Sequence, residues 1–204
     1  MFRRLTVITV AALTILPAAA AAQQDRWRIG VKGGYASGIG DSFEGPGSVS
    51  AGASVFRPIG RNVDAGVELG YHGLGTTTTR QADLYGPGST YREGFTRSAW
   101  QATGNLRLRP ATSPIGPYLS AGGGAYLLRI RDVIEVRDAG GQMIPQYQFR
   151  QSDGQVYPGV NLGVGADRLV ALGRLGLGLH GRWHGIISEG IGSFFTVTVG
   201  LSLD

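Results

Sequence analysis

Apolar and polar residues alternate strictly along the stretch SFFTVTVGLSL, residues 193–203. A period of two over about ten residues predicts a β-strand with one apolar and one polar face. At about 3.3 Å per residue, a tilted strand of this length crosses the hydrocarbon layer of a membrane. The apolar face carries Phe195, Val197, Val199, Leu201 and Leu203, and the other carries Phe194, Thr196, Thr198, Gly200 and Ser202.

Seven earlier stretches repeat this pattern and predict seven further strands, at about residues 26–37, 48–57, 63–72, 94–109, 117–131, 156–166 and 174–184. The connections after the second, fourth and sixth strands are short, and the others are longer, including a polar loop predicted at residues 75–93. An even strand number with this alternation is typical of outer-membrane barrels, which have short periplasmic turns and longer outer loops. The glycine run at 122–124 leaves the facing of the fifth strand open and is compatible with a bulge.

The fifth and sixth strands are predicted to continue as an arm, residues 132–150, around a turn at 138–141. An exposed strand pair with apolar side chains can add a strand from a partner protein. The alternative is that the arm packs on itself or on lipopolysaccharide sugars. Its apolar and aromatic residues are Val133, Ile134, Val136, Met143, Ile144, Tyr147 and Phe149.

Alternation alone does not distinguish a membrane barrel from a soluble barrel with an apolar lumen, such as a lipocalin. Glycine crowds the polar face, which suits the cramped interior of a narrow barrel better than a solvated surface. Charges on that face can pair inside, whereas each would cost roughly 2–4 kcal/mol facing lipid at mid-depth. We therefore expect a lumen plugged by ion pairs among Arg28, Lys32, Asp64, Glu68, Arg97, Arg107, Arg174 and Arg182.

Aromatic residues on the apolar face lie toward the strand ends, where membrane-interface girdles occur. The predicted interface aromatics are Trp27, Tyr35, Tyr71, Trp183 and Phe195.

The chain has 204 residues, 35 glycines, no cysteine, and 19 basic against 14 acidic residues. Its start predicts a cleaved signal peptide at residues 1–22, because Arg3 and Arg4 precede a short apolar run that ends in alanines. The barrel domain would then occupy residues 23–204. The absence of cysteine excludes a disulfide scaffold, and the mild, scattered positive charge does not indicate a nucleic-acid partner.

The signal segment, PYLSAGGGAY at 117–126 and the closing strand FFTVTVGLSL resemble the small eight-stranded outer-membrane β-barrels, the OmpA-like and OmpX-like group. The resemblance implies an all-β, antiparallel up-and-down transmembrane barrel that the outer-membrane assembly machinery inserts as a monomer among lipid and lipopolysaccharide. OmpX-like barrels have protruding strands, which implies adhesion or surface defence. One departure is the ending Leu203-Asp204, where family members usually have a terminal aromatic residue that the assembly machinery recognises. This departure implies either that the machinery tolerates the ending or that insertion is slower.

Two sets of residues suggest chemistry. His184, Ser188 and Glu189 lie close together and have the residue types of a hydrolytic triad, as in lipid A deacylases. The alternative is a rim histidine beside a flexible loop. His72 and His180 occur singly on their strands, which favours lumen histidines over metal ligands. We expect a non-enzymatic surface protein without cofactor or metal, and a lipid A-modifying enzyme or a small channel stays the alternative.

Overall fold

Eight antiparallel strands form most of the described part of the chain. The computed structural model describes residues 27–39, 46–110, 116–145, 149–188 and 191–203, so the predicted signal peptide and Asp204 lie outside it. Each strand pairs with the next, and β1 pairs with β8, which closes the barrel. The strands are β1 Arg28–Ile39, β2 Ser48–Pro58, β3 Val63–Ala82, β4 Thr90–Leu108, β5 Pro117–Arg137, β6 Phe149–Leu172, β7 Leu175–Ile187 and β8 Ile191–Leu203.

The predicted all-β, up-and-down barrel of the small eight-stranded type is confirmed by this strand count, order and closure. Among the residues that the structure describes, no helix has the length and hydropathy needed to cross a membrane.

The two faces of the barrel wall differ as the alternation predicts. On β8, Val197, Val199 and Leu201 are exposed on the outside, whereas Thr196 and Thr198 are buried inside. The same division holds on β3, where Val67 and Leu69 are exposed and Glu68 is 1% exposed. The outside of the barrel is therefore aliphatic, and its interior holds the charged and polar side chains.

Four neighbouring strands are much longer than the rest. β3 to β6 have 20, 19, 21 and 24 residues, whereas β1, β2, β7 and β8 have 11 to 13. The additional residues, 75–82, 90–97, 129–137 and 149–154, form a four-stranded extension that we call the protruding sheet. The polar loop predicted at 75–93 is therefore wrong, because most of it belongs to paired strands.

The predicted arm forms the outer part of this sheet. β5 ends at Arg137, a hydrogen-bonded turn joins Asp138 to Gln142, and an isolated bridge pairs Arg137 with Met143. Residues 146–148 and the side chains of 149 and 150 lie outside the described part. Because β5 also pairs with β4 along this whole length, the arm is one half of a wider sheet.

Two irregularities interrupt the ladders, and neither lies at the glycine run of β5. One separates Gly73 from Gly75 on β3, and the other separates Ala166 from Val170 on β6. Gly75 has a φ of 108°, a left-handed conformation that favours glycine, and the bulge it helps to form lets Leu74 enter the core. β5 is regular, with Tyr118 and Tyr126 buried and Leu119 exposed.

Candidate functional site

Ion pairs fill the half of the lumen near the short turns. Asp64 on β3 accepts hydrogen bonds from Arg28 Nη1 at 2.9 Å and from Arg109 Nε at 2.5 Å. Arg109 also bonds Asp167, which accepts a second hydrogen bond from Arg107 Nη1 at 3.3 Å. The two carboxylates are thus linked through the Arg109 guanidinium, and together with Arg28 these contacts join strands β1, β3, β4 and β6 across the interior.

A second layer lies farther along the barrel and centres on Glu68. Lys32 Nζ donates to Glu68 Oε1 at 2.5 Å, and Arg182 Nη1 donates to the same oxygen. Glu68 and Arg182 have side chains that are 1% and 4% exposed. The attraction between this buried carboxylate and its two cations offsets the desolvation penalty that each of these charges carries.

Aromatic rings sandwich one of these cations. The Arg107 guanidinium carbon lies 3.5 Å from the centroid of the Phe56 ring and 4.5 Å from that of Tyr118. A guanidinium over an aromatic face gains cation–π attraction, which is strongest when the pair is desolvated. Tyr118 in turn shares a 2.6 Å hydrogen bond between its hydroxyl and His180 Nδ1.

Histidines and aromatic rings close the half of the lumen below the protruding sheet. His184 stacks on Phe194 with ring centroids 4.4 Å apart and an interplanar angle of 5°. Tyr126 OH lies 3.1 Å from His184 Nδ1. His72 lies between Ser50 Oγ and Gln101 Oε1, each at 2.9 Å from a ring nitrogen. Each of these histidines therefore has neighbours that hold both of its ring nitrogens in place.

A small cavity remains in the interior. The cavity between the two ionic layers, beside Lys32, Arg107 and Asp167, has a volume of about 20 Å³. That is room for about one water molecule. Along the described strands the interior contains ionic and aromatic layers of side chains.

The structure places six of the eight predicted lumen charges in these layers. Arg97 faces the same side but lies in the protruding sheet, and it makes no ion pair with the residues that the structure describes. Arg174 lies in the turn between β6 and β7 and is exposed, so its predicted place in the lumen is wrong. The reason is that the alternation of polar and apolar residues was extended back from Leu175 to Arg174. Arg174 lies in the turn before β7 begins, so its side chain does not follow the two faces of the strand.

Two charged residues of these layers, Arg109 and Asp167, are not in the predicted ion-pair set, although alternation puts Arg109 on the polar face of the fourth strand. Arg109 follows the last residue of β4, and Asp167 lies at the irregularity of β6, where simple alternation fails. The sequence does contain a signal for Arg109. It lies two residues after Arg107, so alternation predicts that both arginines face the interior.

The predicted interface aromatics all lie on the outer face. Trp27 precedes β1 at the end with the short turns, whereas Tyr35, Tyr71, Trp183 and Phe195 lie toward the opposite end. Trp100 joins them, because it pairs with Tyr71 across β3 and β4 with ring centroids 5.0 Å apart.

The suggested hydrolytic set does not come together in the described part of the chain. His184 is 1% exposed and faces the lumen, where its Nε2 lies 3.3 Å from Thr196 Oγ1. Ser188 is exposed at the end of β7, and Glu189 lies outside the described residues. The histidine is therefore not placed to take a proton from Ser188. No group of three or more metal-binding side chains occurs among the described residues.

The protruding sheet has two outer strands with one neighbour each. Residues 75–82 of β3 pair with β4, and β2 makes no ladder pair with them in the described ranges. Residues 149–158 of β6 pair with β5, and the pairing of β6 with β7 begins only at Gly159 and Ile186. The run Thr76 to Thr79 lies along the first of these edges.

No protein-family model and no curated protein matches the chain. Among solved structures, it is similar to Neisserial surface protein A, with 14% identity, coverage of 89% of this chain and 99% of that chain, and a TM-score of 0.47. It is also similar to Ail, the attachment invasion locus protein of Yersinia pestis, crystallised with a heparin analogue. The identity is 10%, the match covers 87% of this chain and 99% of that chain, and the TM-score is 0.43. A third similar structure is the N-terminal β-barrel domain of Pseudomonas aeruginosa OprF, with 11% identity, coverage of 88% of this chain and 100% of that chain, and a TM-score of 0.43. At these identities the similarity concerns the fold alone.

Proposed function

We propose that this chain is an integral outer-membrane protein with a closed lumen, whose protruding sheet binds a partner protein at the cell surface. The observation that carries the proposal is the polarity of the barrel wall. Buried ion pairs such as Glu68 with Lys32 occupy the inside, and exposed aliphatic residues such as Val67 and Leu69 cover the outside.

The apolar outside supports a membrane location. Contiguous exposed apolar patches of more than a few hundred Å² are rare on soluble monomers. Here the outward residues of successive strands are apolar around the barrel, for example Val31, Leu106, Leu162 and Leu177. In lipid the same surface is solvated, and a closed barrel leaves no backbone edge unpaired in the hydrocarbon layer.

The unequal ends of the barrel support its orientation. The short connections, residues 59–62 and 173–174, lie at the end where the chain enters β1, and the protruding sheet extends from the other end. Outer-membrane barrels have short turns in the periplasm and long loops outside. This orientation puts the protruding sheet at the cell surface.

The edges of the protruding sheet support the binding role. An outer strand presents a row of backbone donors and acceptors that an incoming strand can pair with. Residues 75–82 and 149–154 provide two such edges above the barrel. The proposed role is non-enzymatic, since the lumen histidines are held in the packed interior and not at a site open to substrate.

Membrane fractionation tests the location. The full chain, expressed in a Gram-negative host, is expected in the outer-membrane fraction and to migrate faster in SDS gels before boiling than after it. Recovery in the soluble fraction without detergent would refute the location.

Trimming the sheet tests the binding role. The variant replaces residues 77–95 by a two-residue Asn-Gly turn between Thr76 and Thr96, which face each other across β3 and β4. Cells displaying the full chain are expected to bind at least one protein of a serum and extracellular-matrix panel, and cells displaying the trimmed, heat-modifiable variant are expected to lose that binding. Equal binding by both, or no binding by the full chain, would refute this role.

A further inference from the structure

The outer surface of the protruding sheet is strongly basic. Its outward positions are set by alternation from Trp100 and Leu127, which pair on the outer face of β4 and β5. Glu135 is the one carboxylate on this face among the side chains that the structure describes. The arginines on this face are Arg80 on β3, Arg92 on β4, and Arg129, Arg131 and Arg137 on β5.

Two of these arginines lie directly above the aromatic row. Arg129 follows Leu127 by two residues on β5, and Leu127 pairs with Trp100. Two residues of a strand tilted by about 40° rise roughly 5 Å along the barrel axis. Arg131 lies one such step farther out. Since aromatic girdles mark the edge of the hydrocarbon layer, both guanidinium groups lie at the depth of lipid headgroups.

Nothing in the described part of the chain neutralises this pair. Arg129 and Arg131 are exposed, and neither makes an ion pair or a side-chain hydrogen bond with a described residue. Their cross-strand neighbours are small or carry hydroxyls, with Ser98 and Gly154 beside Arg129, and Thr96 and Ser152 beside Arg131. The surroundings therefore offer further hydrogen-bond donors and no competing carboxylate.

A second group of positive charges lies farther from the barrel. Arg80 is directly opposite Arg92 across β3 and β4, an arrangement of like charges that is unfavourable without an anion nearby. Glu135 reaches Arg92 only at 3.9 Å. The excess of positive charge thus continues outward from the headgroup level.

We propose that this face binds the phosphate groups of the outer-leaflet glycolipid, the lipid A part of lipopolysaccharide, with Arg129 and Arg131 as its principal contacts. The inference rests on the proposed location in the outer membrane. Arginine binds phosphate through paired N–H donors, and a basic group beside an anionic membrane surface contributes about a factor of five in affinity. A soluble acidic protein fits less well, because the lower pair lies at headgroup depth.

The test uses the full chain extracted from membranes and reconstituted into phosphatidylcholine nanodiscs that contain bisphosphorylated or dephosphorylated lipid A. Retained glycolipid is measured by native mass spectrometry after exchange into detergent. Arg129→Gln/Arg131→Gln is compared with Arg61→Gln/Arg174→Gln, which removes two exposed arginines from the short turns at the other end. Soluble inorganic phosphate and heparin are added as competitors.

The native chain is expected to retain the bisphosphorylated form preferentially. The Arg129/Arg131 variant is expected to retain it about 25-fold less well, since two factors of about five multiply, and the control variant is expected to match the native chain. The proposal would be overturned if both variants retained the bisphosphorylated form equally, or if the native chain retained the dephosphorylated form equally well. It would also be overturned if soluble phosphate or heparin, at equal phosphate or sulfate concentration, displaced the glycolipid. Failure of the native chain to enter nanodiscs would instead count against the membrane location itself.

Discussion

The ammonium group of Lys32 donates a hydrogen bond to Glu68 at 2.5 Å, from β1 to β3 across the interior of the barrel. Arg182 reaches the same carboxylate oxygen from β7. Three strands that are distant in the sequence are thereby joined by one buried anion. We expect this shared buried anion to stabilise the barrel.

Replacing Glu68 by glutamine tests that core. We expect the variant to lose about 3–5 kcal/mol of unfolding free energy, because Lys32 and Arg182 then remain as buried cations without a carboxylate. Urea unfolding in lipid vesicles, followed by tryptophan fluorescence, measures the change. Adding Lys32→Met to Glu68→Gln is expected to restore part of the loss.

The matched control is Glu135→Gln in the protruding sheet, where the nearest cation lies at 3.9 Å. It is expected to cost less than about 1 kcal/mol, as exposed pairs do. A Glu68→Gln variant as stable as this control would contradict the buried network.

Two adjacent glycines of β1 provide a test of the packed interior. A Cβ on Gly34 would collide with the backbone carbonyl of Val197, whereas a Cβ on Gly33, on the opposite face, would come no closer than 3.9 Å to Ser50 O. We expect Gly34→Ala to reduce the folded fraction strongly and Gly33→Ala to leave it unchanged. Heat-modified migration in SDS gels reports the folded fraction, and equal behaviour of the two variants would contradict the assigned facing of β1.

The filled lumen predicts that the barrel does not conduct ions. The cavity beside Lys32 and Asp167 has room for about one water, and the His184 and Phe194 rings stack in the other half. In planar bilayers with 1 M KCl, the chain is expected to give no unitary conductance steps, while a water-filled porin measured in parallel gives them. Reproducible steps from the purified, heat-modifiable chain would refute the plug.

The positions of His184 and Ser188 predict no lipid A-modifying activity. His184 is held inside the lumen by Tyr126 and Thr196, so it has no free face toward the bilayer. Expression of the native chain, Ser188→Ala and an empty vector is expected to give identical lipid A mass spectra. A mass change that appears with the native chain and disappears with Ser188→Ala would establish the enzymatic alternative.

The period of two is enough to predict the eight strands and the facing of all of them except β5, because the two faces of each strand have different surroundings. The pattern does not predict strands where both faces of a strand have the same surroundings. Beyond Leu74, β3 continues as Thr76 to Thr79, which has no apolar alternation, so paired backbone was read as a loop. Only the pairing with the partner strand β4 determines that this segment is extended.

The contacts of the interior are predicted less completely, because alternation indicates which face of a strand a residue lies on but not which side chain it contacts. Asp167 was missed because the ladder shifts between Ala166 and Val170, and Arg174 was placed inside because the pattern was extended through a turn. Alternation already puts Phe194 on the polar face of the last strand, but Tyr126 gives no such signal, because it follows the glycine run that leaves the facing of β5 open. Tyr126 is nevertheless completely buried in the lumen, and only the closed barrel defines that position.

Photolabelling from within the bilayer tests the central claim most directly. The native chain is reconstituted with a phospholipid that carries a diazirine in its acyl chain, irradiated, and mapped by mass spectrometry. We expect labels on outward residues such as Val67, Leu162 and Leu177, and none on Asp64, Glu68 or Asp167, which lie inside. Labels on those three carboxylates, with Val67 and Leu177 unmodified, would contradict the assignment of a charged interior and a lipid-facing aliphatic surface.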